Sequence, residues 1–126
     1  MLPETCEALE AVGITDAFAI QEMTLPLALS GNDVIGQAKT GTGKTLGFGI
    51  PLLQRIIGPH DNDAEFLAAP GKPQALVVVP TRELCIQVAK DLRQAGARRA
   101  VTENRRLLIG GGWANGGRSC SWNRLS

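Results

Sequence analysis

The amino-acid sequence predicts an α/β domain in which a parallel sheet is flanked by helices. Three observations carry this expectation. A short β-prone run, Asp33-Val34-Ile35-Gly36-Gln37, leads through a glycine-rich turn into an apolar segment that starts near Lys44. Ala75-Leu76-Val77-Val78-Val79 is a continuous apolar run without alternation, the pattern of a strand covered on both faces of a parallel sheet. A helix-period segment follows it, and strand–loop–helix–strand–helix is the alternation of α/β folds.

In chain order, residues 4–12 read as a short helix with Leu9 and Val12 on one face and Gly13 placed to end it. A loop from Gly13 runs into a second helix, about Glu22 to Ser30, whose periodicity is interrupted by Pro26. Gly31-Asn32 is a turn signal before a strand expected over 33–38. The helix after the glycine-rich turn should run to about Ile57, weakened by Gly47 and Gly49 and bent at Pro51. Residues 58–73 are rich in Pro, Gly and Asp and read as a mobile surface loop. From Arg82 to about Ala95, Leu84, Val88 and Leu92 recur every four residues, and Gly96 ends this amphipathic helix.

At 126 residues the chain makes at most one small domain, and its 44% hydrophobic fraction allows a core. Cys6, Cys85 and Cys120 lie far apart and His60 is the single histidine, so neither a zinc-ligand spacing nor a disulfide framework is present. His60, Asp61 and Asp63 read as a solvated loop. No apolar run approaches a membrane span, and no signal-peptide pattern opens the chain; the expectation is a soluble, cytoplasmic protein that does not engage membranes. Charge divides sharply along the sequence. Residues 1–92 hold six Lys and Arg against eleven Asp and Glu, whereas 93–126 hold seven Arg and a single acid, Glu103.

The turn itself, Ala38-Lys39-Thr40-Gly41-Thr42-Gly43-Lys44-Thr45, meets the phosphate-loop pattern in the form that allows Ala first. Gly41 and Gly43 free the backbone to point several N–H groups at one anion, and the helix that follows adds the positive end of its dipole. Lys44 would reach the β- and γ-phosphates and the Thr45 hydroxyl would ligate Mg²⁺.

Two further stretches narrow the class. Pro80-Thr81-Arg82-Glu83-Leu84 resembles motif Ia of DEAD-box RNA helicases, and Gly13 through Ile20-Gln21 resembles that family's Q motif. Ala38 to Thr45 resembles its motif I, and order and spacing of the three agree over about residues 4–92. The resemblance, closest to bacterial members, implies a partial, incomplete RecA-like domain over residues 1–104 that binds ATP, Mg²⁺ and RNA. Gln21 would read the adenine edge, since an amide donates and accepts at once. Thr40, Gly41, Thr42 and Gly43 would wrap the phosphates, beside Lys44 and Thr45. Thr81 and Arg82 would hold the RNA backbone, giving little sequence preference, and Gly110-Gly111 would match the GG motif. The implied activity is ATP hydrolysis coupled to RNA duplex unwinding. A non-catalytic ATP- and RNA-binding module is the alternative; a small kinase or GTPase would not call for Gln21 or for 80–84.

The sequence departs from the family in having no aromatic residue before Phe18, no Asp-Glu-Ala-Asp segment, no Ser-Ala-Thr motif and no second RecA-like domain. Those groups position charge around metal and water, so turnover by this chain is expected to be impaired. Residues 105–126 hold both Trp, five Gly, four Arg and no acid, a basic tail expected to be disordered or out of frame. The competing reading is a segment that binds single-stranded RNA by charge and stacking.

Overall fold

Residues 3–39, 43–57, 72–99, 107–111 and 122–124 are described by the computed structural model; residues 99, 107, 108, 111 and 122–124 are described in backbone only. The result is a partial α/β fold. Helices α1 (Pro3–Glu10), α2 (Ala19–Leu29) and α3 (Lys44–Arg55) precede strand β1 (Ala75–Val79). Helix α4 (Arg82–Gly96), a 3₁₀ turn at Ala97–Arg99, and strands β2 (Leu107–Gly111) and β3 (Trp122–Arg124) follow.

Each helix takes its place through a local device. The chain leaves α1 through Gly13 at φ +80°, with Ile14 N–H bonded to the Leu9 carbonyl at 3.0 Å. Thr5 is fully buried, and its hydroxyl accepts from Gln54 Nε2 at 2.9 Å, which pins α1 to α3. Helix α2 starts three residues earlier than expected because Gln21, at N3, reaches back to the N–H of Phe18. Helix α4 is capped by Thr81, whose hydroxyl accepts from Leu84 N–H at 3.2 Å. The ends of the 58–73 segment are tied by Gln74, whose amide accepts from Ile57 N–H and donates to Ile57 C=O, both at 3.0 Å. Residues 58–71, with His60, Asp61 and Asp63, lie outside the described residues.

The core is one layer deep. Val77 and Val79 of β1 and Ile109 of β2 face Val88, Ala89 and Leu92 of α4 and Ile50, Leu53 and Ile56 of α3, with Leu9 of α1 at the margin. Leu53, Leu92 and Ile109 are wholly buried, and each such side chain contributes about 1.5–3 kcal/mol. Cys85 closes the seam, its thiol donating to the Ile109 carbonyl at 3.7 Å. Strands β1 and β2 pair in parallel, Ala75 opposite Leu107 through Val79 opposite Gly111, and β3 adds antiparallel to β2.

Three expectations are corrected. Residues 33–38 form no strand, and Ile35 is fully exposed. A strand is held by its partners' N–H and C=O groups, and no described strand lies beside this run. The strand β1 is covered on one face only. Leu76 and Val78 are 57% and 67% exposed because α3 and α4 both pack on the side of Val77 and Val79, and no described element covers the other. Residues 107–111 and 122–124, read from sequence as irregular tail, are strands of the sheet, and β2 pairs with β1 along its whole length.

Two glycines of α3 separate propensity from packing. A Cβ on Gly47 would meet Thr24 Oγ1 at an ordinary 3.5 Å, whereas one on Gly49 would lie 2.3 Å from Cδ2 of the wholly buried Leu92. Gly47→Ala is expected to raise the urea midpoint, by up to about 1 kcal/mol in stability. Gly49→Ala is expected to lower it by about 1 kcal/mol or more, because Leu92 has no room to move. Equal effects of the two would contradict this account of how α3 meets α4.

Candidate functional site

The described part of the phosphate loop is its two ends. Residues 32–39 approach it without regular secondary structure; Thr40, Gly41 and Thr42 lie outside the described residues. The chain re-enters at Gly43, the N-cap of α3, with φ +73°. That left-handed conformation suits glycine, and space enforces the choice as well. A Cβ at Gly43 would stand 2.3 Å from Gln21 Nε2 and 2.6 Å from Phe18 Cδ2.

Gln21 is the joint of the site. It is 3% exposed, and its Nε2 donates to the Gly43 carbonyl at 3.0 Å while its Oε1 accepts from the Phe18 N–H at 3.1 Å. The same Gly43 carbonyl takes the first helical bond of α3, from Gly47 N–H at 3.1 Å. One buried amide therefore joins the N-termini of α2 and α3, and the positive ends of two helix dipoles are brought together. Each end of the amide still has one unused capacity, a lone pair on Oε1 and an N–H on Nε2.

Lys44 is exposed and its ammonium donates to the carbonyl of Ala38, at the opposite end of the loop. A cation held by a neutral carbonyl is a cation without full charge compensation, and an anion arriving between the loop's ends would supply it. Thr45 is half-buried on the first turn of α3. Gly43, Lys44 and Thr45 share the lining of a cavity of about 570 Å³ with Val79 and Leu84, so the space between them opens at the carboxyl end of β1. That end of the strands is where open α/β sheets bind ligands. A second cavity, of about 480 Å³, lies between α2 and α3, with Ile20, Thr24, Lys44 and Phe48 among its walls.

The structure thus brings Gln21, Gly43, Lys44 and Thr45 together. Thr81 and Arg82 lie at the start of α4, both exposed and outside that lining, although Leu84 one turn on belongs to it. The Thr81 oxygen is occupied by capping, and its proton remains available to a phosphate. Gly110 and Gly111 lie within β2 opposite Val78 and Val79, in the sheet rather than at the loop. Sequence reasoning missed the joining role of Gln21. The signal was there in a glutamine placed to reach back to its own N-cap, but not in which loop its other end would meet. Among the described residues no group of His, Cys, Asp and Glu is placed to hold a metal ion, and no helix is long and apolar enough to cross a membrane.

Comparison with known proteins identifies the family. The DEAD/DEAH box helicase family model matches residues 18–112. The DEAD-box ATP-dependent RNA helicase CshA of Geobacillus kaustophilus is 46% identical over 98 residues, which cover 78% of this chain and 19% of that protein. A hypothetical ATP-dependent RNA helicase from Sulfolobus tokodaii is similar in structure, with a TM-score of 0.61 and 35% identity over 77% of this chain and 24% of that one. Dbp5 of S. cerevisiae bound to RNA and ADP BeF3 gives a TM-score of 0.63 and 30% identity over 77% of this chain and 23% of that one. The chain spans between 15% and 19% of the length of such curated relatives.

Replacing Gly43 by Ala should break the joint between α2 and α3. The expected cost is about 1–3 kcal/mol from the strained φ alone, read as a lower urea midpoint, with the Phe18 ring signals shifting in NMR spectra. An unchanged midpoint would show that the contact between Gln21 and Gly43 does not organise the site.

Proposed function

The chain belongs to the DEAD/DEAH box helicase family, and on that footing we propose that it is the ATP-binding portion of a DEAD-box ATP-dependent RNA helicase. Hydrolysis of ATP coupled to RNA duplex unwinding is the activity proposed for the whole family member. The observation that carries the reading is the joint itself, a buried base-reading amide bonded to the residue immediately before the phosphate-loop lysine. The family match and the pairing of β2 both support extending this portion to about residue 112.

The residues present suit Mg-ATP. Gly43 leaves no side chain between the loop and Gln21, and among the described residues Lys44 has only a neutral carbonyl to give up. In this reading the remaining lone pair and N–H of Gln21 meet the adenine edge, and Thr40, Gly41, Thr42 and Gly43 turn N–H groups to the phosphates. Lys44 releases Ala38 and takes the β- and γ-phosphates, while the Thr45 hydroxyl holds Mg²⁺. The metal, when bound, neutralises charge between those phosphates. Thr81 donates its proton, and Arg82 its guanidinium, to the RNA backbone, which carries no sequence information. A cytoplasmic site of action is part of the same reading, and the free thiols of Cys6 and Cys85 support it.

A second reading is a non-catalytic ATP- and RNA-binding module, supported by the four Arg and both Trp of residues 105–126, which suit a single RNA strand. Binding and turnover separate the two. The chain is expected to bind Mg-ATP, with Lys44→Ala weakening it by at least about tenfold, as loss of a charge-assisted contact implies. RNA-stimulated phosphate release that disappears in Lys44→Ala supports the enzyme, and binding without release supports the module. Affinity indifferent to Lys44→Ala would overturn both.

A further inference from the structure

Helix α4 carries a stripe that its core packing does not explain. Leu84, Gln87, Asp91 and Gln94 recur at spacings of three and four, so they share one flank of the helix. The face beside it, with Cys85, Val88, Leu92 and Ala95, belongs to the core. All four residues of the stripe line the cavity of about 570 Å³ that Gly43, Lys44 and Thr45 also line. Gln87 and Gln94 are exposed, as the polar flank of a helix commonly is, whereas Asp91 between them is half-buried. Among the described residues no hydrogen bond or ion pair engages it.

A half-buried carboxylate without a partner is costly to desolvate, and a cation offsets that cost. Lys44 and Asp91 are the two charged residues of this lining among the described residues. The lysine already donates to the Ala38 carbonyl, and in the reading above it turns to the phosphates. The two cavities beside Lys44 divide the remaining groups. Ile20 and Thr24, which flank Gln21 on α2, line the smaller one, while Thr45 and Asp91 line the larger. The hydroxyl assigned to the metal and the one carboxylate of the lining therefore share a cavity. Magnesium keeps several waters and takes one or two carboxylates together with substrate phosphates. The described residues hold no group of ligands able to bind a metal alone, so the ion comes with the nucleotide. We infer that Asp91 is the carboxylate that receives the water shell of the nucleotide's magnesium ion, making the polar flank of α4 the metal-facing wall of the site. The inference rests on the ATP reading above and adds a residue to it.

The test uses the full 126-residue chain and reads nucleotide binding with the ion present and absent. ATP is titrated against the wild type, Asp91→Asn, Asp91→Glu, Thr45→Val and Lys44→Ala, once with excess magnesium and once in EDTA. Asp91→Asn keeps the size of the side chain and removes its charge. With magnesium it should weaken ATP by roughly tenfold, the worth of one charge-assisted contact. In EDTA it should bind ATP as well as the wild type or better, because the lost charge repels bare phosphates. Retained binding in EDTA also shows that the variant folds. Asp91→Glu should keep most of the gain that magnesium gives. Asp91→Asn equal to the wild type with magnesium, while Thr45→Val loses the magnesium effect, overturns the role of Asp91 and leaves the ATP reading standing. Equal weakening with and without magnesium makes Asp91 a structural residue and overturns the inference as well. A wild type whose ATP affinity magnesium does not change overturns it too. A wild type that binds ATP in neither condition overturns the ATP reading, and this inference with it.

Discussion

The hydrogen bond from Gln21 Nε2 to the carbonyl of Gly43 is buried, 3.0 Å long, and spans 22 residues of sequence. A buried amide left unpaired costs about 1–3 kcal/mol, so this bond and the one from Phe18 N–H settle where α2 sits against α3. That placement sets the rest of the site. Gly43 must remain without a side chain and in the left-handed region, α3 must begin at Lys44, and the lysine must emerge facing the loop it follows. The result is two helix N-termini meeting at one point, an arrangement that favours an anion before any particular ligand is named.

The packing behind the site is one-sided. Helices α1, α3 and α4 gather on the face of Val77, Val79 and Ile109, and the opposite face of β1 shows Leu76 and Val78 to water. Parallel sheets are ordinarily covered on both faces. Val34 and Ile35 are exposed on a run that finds no sheet partner among the described residues. Bare apolar surface favours association with other chains. The physical cost of this arrangement falls on the sheet, whereas the joint between α2 and α3 depends on local contacts. Site and sheet therefore differ in what sustains them.

Much of this was legible in the residues. The strand at 75–79 and the helix from Arg82 agree with their patterns because a β-branched run and a four-residue apolar recurrence are local signals. The 33–38 run misled because its β-propensity is real, but propensity without a partner does not make a ladder. The expectation that β1 is covered twice failed for a related reason: an unalternating run reports what a strand can tolerate, and coverage depends on other segments. The strand at 107–111 was obscured by the arginines and glycines around it, which made a sheet segment look like tail. The turn at Gly43 and the helix start at Lys44 were readable from spacing alone. The burial of Gln21 was not, because its partner is a backbone carbonyl, which has no signature in sequence.

The central claim is that Gln21 serves the phosphate loop as well as the base. Gln21→Leu removes the amide and keeps the volume, and the affinity of this variant for inorganic tripolyphosphate with magnesium is the most direct readout, because that ligand has no base to read. The account predicts a loss of about fivefold or more, the worth of one buried hydrogen bond. Tripolyphosphate affinity equal to that of the wild type would contradict it.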